Sequence, residues 1–141
     1  MQSVRGFKKR YFLVPLVVLL AGGIYLLSQL TPFSERVLKK VQINNLAVLY
    51  VTEGDAGATT AYSYRYFVYD ASKSEKEFTE SIGGDTQPFM ITSDKDAEAK
   101  VDDGKLYLNV RGKIYSYSSS VSYKLSSGVY SVPVYLNAAP Y

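Results

Sequence analysis

The sequence predicts one N-terminal transmembrane α-helix followed by a mainly-β domain, a small antiparallel sandwich or barrel with one short amphipathic helix. Three observations carry this. Residues 11–30 (YFLVPLVVLLAGGIYLLSQL) hold no charged side chain and follow the basic segment MQSVRGFKKR. From Ile43 onward apolar residues tend to recur at every second position, rich in Tyr and Val, between turn signals such as Asp103-Gly104 and Ser127-Gly128. The chain contains no Cys and no His, so the domain must fold without disulfides.

Residues 11–30 are read as a retained membrane anchor. Twenty helical residues span about 30 Å, the thickness of a bilayer's hydrocarbon core. A cleaved leader would have a shorter apolar run ending in a small-x-small site, which Ser28-Gln29-Leu30-Thr31-Pro32 lacks. Pro15 and Gly22-Gly23 are tolerable in lipid, where the backbone has no hydrogen-bonding alternative to helix. Arg5, Lys8, Lys9 and Arg10 outweigh the basic residues just after the run. This predicts a cytoplasmic tail over 1–10 and a domain held outside the cell (inner) membrane, periplasmic or extracellular.

The tail also explains the overall charge. It holds four of the sixteen basic residues and none of the thirteen acidic ones, which leaves twelve against thirteen, a net of −1. A nearly neutral domain lacks the positive stripe that a phosphate backbone requires, so no nucleic-acid partner is expected. The partners expected are membrane lipid along 11–30 and an envelope protein.

Residues 31–42 are read as a juxtamembrane helix or stalk. Thr31-Pro32 has the form of a helix start, and Phe33, Val37 and Val41 fall on one helical face. The extracytoplasmic β-rich domain then covers 43–141. Residues 43–53 read as a strand, Gly54-Asp55-Ala56-Gly57 as a turn and 58–70 as the antiparallel partner. Residues 71–82 read as the amphipathic helix, with Ser72-x-x-Glu75 as capping box and Phe78 and Ile82 facing the sheet. Residues 88–93 and 97–102 read as short strands, the second closing at Asp102-Asp103-Gly104. Residues 105–117 read as one long strand bent at Gly112, because Leu106, Leu108, Val110 and Ile114 stay in phase through it. Residues 121–125 and 129–136 read as a final hairpin whose second arm, carrying Pro133, lies at a sheet edge. No internal repeat is evident.

The residue types present exclude most catalysis. Without His or Cys there is no Ser-His, Cys-His or thiolate arrangement, and no Ser-x-x-Lys occurs. Asp94-Lys95-Asp96-Ala97-Glu98 opens like a calcium loop, but Ala99 stands where the glycine belongs and Lys105 where the final glutamate belongs. No metal and no cofactor are therefore expected, and the protein is not expected to be an enzyme.

Tyrosine, 14 of 141 residues, is the one unusual feature left. Tyr62, Tyr64 and Tyr66 alternate along one strand and share a face, which is either core or an exposed aromatic patch. As a patch it extends to Arg111, Lys113, Tyr115 and Tyr117, a surface that would bind by shape and a polar aromatic tip. The expected function is a single-pass membrane-anchored protein-interaction module, an accessory envelope subunit or an immunity or exclusion factor. An envelope glycan or small-ligand binding module is the alternative. A hydrolase working through the carboxylates of Glu75, Glu77 and Glu80 is a weaker one.

Overall fold

The computed structural model describes residues 10–30, 35–54 and 62–139. The chain divides into two compact units, Met1–Phe33 and Ser34–Tyr141. In the first, α1 (Arg10–Leu30) is a helix of 21 residues with Pro15 inside it. The large apolar side chains described on it, among them Leu13, Val17, Leu20 and Ile24, are all exposed. Among the described residues no helix is long and apolar enough to cross a membrane, and the side chains of α1 are described over 13–26.

The second unit is mainly β, with antiparallel sheets and one helix among its described residues. Its strands are β1 (Glu35–Gln42), β2 (Ala47–Gly54), β3 (Ser63–Asp70), β4 (Met90–Thr92), β5 (Glu98–Asp102), β6 (Lys105–Val110), β7 (Ile114–Tyr117), β8 (Val121–Leu125), β9 (Gly128–Val132) and β10 (Val134–Ala138). Five form a sheet in the order β1-β2-β3-β4-β7, three form β10-β6-β5, and β8-β9 is a separate hairpin. One apolar core draws on all three sheets, through Leu49, Tyr66 and Met90, through Leu106, Leu108 and Val110, and through Val121, Tyr123 and Val132.

The five-stranded sheet also buries its other face. There Val48, Tyr50 and Phe67 meet Phe78 of α2 (Glu75–Ser81), with the Tyr50 and Phe78 rings stacked at 4.0 Å. This double burial explains why β2 reads as a nearly continuous apolar run rather than a clean alternation. Beside that cluster the side chain of Glu35, 3% exposed, pairs with Arg65 and accepts a hydrogen bond from the Thr52 hydroxyl at 2.8 Å.

Several expectations need correction. Residues 35–42 form an antiparallel edge strand, not a helix. The register slips by one residue between Val37 and Lys39, so Val37 packs beside Phe78 while Val41 packs into the main core. A bulge in a strand thus produced the four-residue apolar spacing that imitates a helix. The helix start at Thr31-Pro32 lies outside the described residues, as do positions 55–57 of the next turn, positions 58–61 and the tail 1–9. Residues 43–46 form the β1–β2 turn rather than strand. Asn44 Oδ1 accepts the amides of Leu46 and Ala47, both at 2.8 Å, a side-chain turn that the Asn44-Asn45 pair announces.

The capping box is formed by Ser74 and Glu77, two residues beyond the expected pair, because Asp70 Oδ1 takes the amide and the hydroxyl of Ser72. Glu77 accepts the Ser74 amide at 2.8 Å, which holds its carboxyl below the usual value. Phe78 does face the sheet, fully buried.

The strand expected over 105–117 breaks at Gly112 and changes sheet, β6 joining β10 and β5 while β7 joins β4. A Cβ at Gly112 would stand 2.7 Å from the Asp94 backbone nitrogen, so only glycine lets the two chains approach this closely. The last arm breaks as well, at Pro133. Having no N–H, Pro133 cannot continue the ladder with β8, and its carbonyl accepts the Leu106 amide at 2.9 Å. The chain passes from β8 to β6, which makes β10-β6 a parallel pair in a domain expected to be antiparallel throughout.

Candidate functional site

The predicted aromatic surface divides between core and solvent. Tyr64 and Tyr66 point into the main core, 8% and 2% exposed. They are not an exposed patch. The sheet that carries them is covered on both faces, so tyrosine here fills volume. Burial pushes the Tyr66 hydroxyl up to about 12, with nearby Asp94 adding to the effect. Burial likewise raises Tyr64, whose hydroxyl donates to Glu53 at 3.3 Å. Tyr117 is partly buried against the same core. Tyr62 and Tyr115 are exposed, and the Lys113 ammonium lies 5.4 Å from the centre of the Tyr115 ring. Arg111 is separated from Lys113 and Tyr115 by the change of sheet at Gly112.

The aromatic surface that the fold does present lies on the three-stranded sheet. Leu106, Leu108 and Val110 of β6 point inward, so Tyr107, Asn109 and Arg111 point outward. On β10, Val134 and Leu136 pack against the core while Tyr135 and Asn137 point outward. β6 and β10 share the string Tyr-Leu-Asn, at 107–109 and 135–137, and their parallel register sets Tyr135 on Tyr107, Leu136 on Leu108 and Asn137 on Asn109. The expectation of no internal repeat overlooked this string, which is too short to mark a repeated domain but is legible in the sequence.

Like side chains therefore form rows across the sheet. The Tyr107 and Tyr135 rings stack at 5.0 Å with planes 13° apart, and Tyr135 is 52% exposed. In the next row Asn137 Nδ2 donates to Asn109 Oδ1 at 3.1 Å, and Asn109 Nδ2 donates to Glu98 Oε2 at 3.5 Å. Beyond it the surface sinks into an open cleft of about 480 Å³, lined by Asp94, Asp96, Glu98, Asn109, Val110, Arg111, Asn137 and Ala139.

Hydrogen bonds fix the cleft wall. Asp94 accepts the Arg111 amide at 2.7 Å through one oxygen and the Asp96 amide at 3.0 Å through the other, tying the β4–β5 loop to the end of β6. Asp96 and Glu98 stay exposed. Among the described residues no group of three or more carboxylates stands close enough to hold a metal ion. The carboxylates of Glu75, Glu77 and Glu80 are exposed on α2, with Glu77 occupied by its cap and Glu80 within 3.8 Å of the Lys76 ammonium. In three comparisons with known proteins, no protein family, no curated protein and no solved structure matched this chain.

Proposed function

We propose that this protein is a single-pass membrane protein whose β-rich unit is a recognition module, engaging another envelope component through the outer face of β10-β6-β5. Supporting the anchor, α1 is about 32 Å long at the usual helical rise, and residues 11–30 carry no charge. The basic residues before the run favour a cytoplasmic N-terminus and an external β-rich unit. One observation carries the recognition reading. The three-stranded sheet keeps one face on the core and turns the other, aromatic, amide-rich and concave, toward solvent.

Recognition is favoured over catalysis by the residue types at that face. With no His or Cys in the chain, carboxylates, lysines and tyrosines are the acid-base groups left. Asp94 is engaged by two backbone amides. The carboxylates of α2 lie on the exposed side of a short helix. A protein partner is the interaction expected from the sequence, and one further observation favours it. β10 is the last strand of its sheet and displays Tyr135, which suits edge-strand contact.

Three measurements test this. Alkaline carbonate should leave the full-length chain in the membrane pellet, and a reporter fused after Tyr141 should be active only outside the cytoplasm. Release into the supernatant would overturn the anchor. A photo-crosslinking amino acid at Tyr135 should capture an envelope component in cells, and the same probe at Lys76 should not. Equal or absent capture at both positions would overturn the recognition face.

A further inference from the structure

We propose that the cleft and tyrosine rows on the outer face of β10-β6-β5 bind a saccharide that is neutral or amine-bearing, with one sugar ring on Tyr135 and the next over the Asn137–Asn109 row. The inference rests on the recognition reading above and names the ligand class of that face.

Sugar recognition needs two chemistries side by side. The C–H face of a pyranose stacks on an aromatic ring, and its vicinal hydroxyls need planar partners that donate and accept together. The tyrosine row supplies the first. The stacked pair is held by a parallel backbone ladder, so Tyr135 is displayed in a fixed plane at low entropic cost. The asparagine row supplies the second. Each amide has two N–H donors and an acceptor oxygen, and the ladder to Glu98 uses one donor from each. Asn137 and Asn109 thus keep unspent hydrogen-bonding capacity within a pre-oriented row, and Glu98 has a second carboxylate oxygen. The rows lie about 7 Å apart along the strands, within the span of two linked sugar rings.

Charge decides which saccharide fits. Three carboxylates and one arginine line the cleft, so its net charge is negative. A uronate or phosphorylated glycan would be repelled there, while a free amine would gain a partner in Glu98 or Asp96. A protein contact would instead want an apolar centre from which water is excluded. This cleft offers only Val110 and Ala139 as apolar lining.

The test uses the full-length chain in a detergent without a sugar headgroup. The chain has no tryptophan, so emission comes from its 14 tyrosines, and the part of a ligand-induced change that Tyr135→Ala removes reports on the face. The probes are a hexamer of N-acetylglucosamine, its fully deacetylated form and a hexamer of galacturonic acid, each read also by calorimetry. The first two should bind and the third should bind at least tenfold more weakly. Tyr135→Ala and Asn137→Ala should each weaken binding by about tenfold, the scale of one lost stacking or hydrogen-bonding partner. Both should leave the circular dichroism unchanged. Glu98→Gln should weaken the amine-bearing hexamer several-fold more than the acetylated one. Tyr115→Ala should change nothing.

Failure of both neutral and amine-bearing hexamers to bind at millimolar concentration would overturn the proposal, as would equal binding of the galacturonate or an unaffected Tyr135→Ala. If crosslinking from Tyr135 captured an envelope protein in that case, the recognition face would stand and only the saccharide would fall. If that crosslinking failed too, both would fall.

Discussion

The five-stranded and the three-stranded sheets use tyrosine to opposite ends. In the first, α2 seals the outer face and the shared core seals the inner one, so Tyr50, Tyr64 and Tyr66 are all less than a tenth exposed. In the second only the inner face is sealed, and Tyr107 and Tyr135 stack on the wet side. The same residue type is packing in one sheet and surface in the other. What differs is whether a second layer covers the face, and that is a property of the fold.

The sharpest test sets Phe78→Ala and Tyr66→Ala against Tyr135→Ala. Each of the first two removes a buried ring and should cost ~3–5 kcal/mol of unfolding free energy, read from denaturant midpoints. Tyr135→Ala should cost no more than ~1 kcal/mol, the worth of an exposed stacked pair. Comparable losses at 66 and 135 would erase the distinction between the sheets. An alkaline titration sharpens it further. Because burial raises Tyr66 from 10 to about 12, its neutral form is favoured in the folded state. That contribution is complete below pH 10 and is lost as pH rises toward 12. Tyr66→Phe should accordingly flatten the fall in stability over pH 10–12.

Gly112→Ala tests the join between the sheets. The added methyl meets the Asp94 backbone, so a loss of ~1–3 kcal/mol is expected from overpacking, with a shifted amide resonance at Asp96. Wild-type stability in that variant would show that the two chains are not held this close.

Tyr50→Phe should be neutral or stabilising by ~1 kcal/mol, since the Tyr50 hydroxyl is buried with no hydrogen-bond partner among the described residues. A clear destabilisation would mean that something hydrogen-bonds it. The smallest effect belongs to Glu77. Its lowered pKa means the cap is intact above about pH 4.5 and is lost as pH falls below it, through the folded-state value. Hydrogen exchange at the Ser74 amide should speed up on acidification, and Glu77→Gln should remove most of that pH dependence.

The local signals survived best in the passage from chain to fold. Asp103 and Gly104 both take positive φ at the β5–β6 turn, as their side chains permit. β2 and β3 pair antiparallel, as the two apolar stretches on either side of the Gly54 turn implied. The capping box was read at Ser72-x-x-Glu75, and the spatial claim of Asp70 on Ser72 leaves it to Ser74 and Glu77. β1 was misread because a bulge and a helix leave the same spacing in one dimension. The candidate surface was left open between core and patch for a related reason. Period-two alternation places Tyr64 and Tyr66 on one face without stating what lies against it.

By itself the sequence determined the uncharged helical segment, the β-rich domain behind it, the Asp103-Gly104 turn and the lack of imidazole and thiol side chains. These follow from side-chain polarity and backbone preference, which act over a few residues. Tertiary structure alone decided that Pro133 and Gly112 pass strands between sheets, that β10 lies parallel to β6 and that Tyr107, Tyr135, Asn109 and Asn137 form one face. Those outcomes depend on which edges pair and which faces are covered, contacts between residues as far apart as 28 positions. Local patterning limits such contacts without choosing among them.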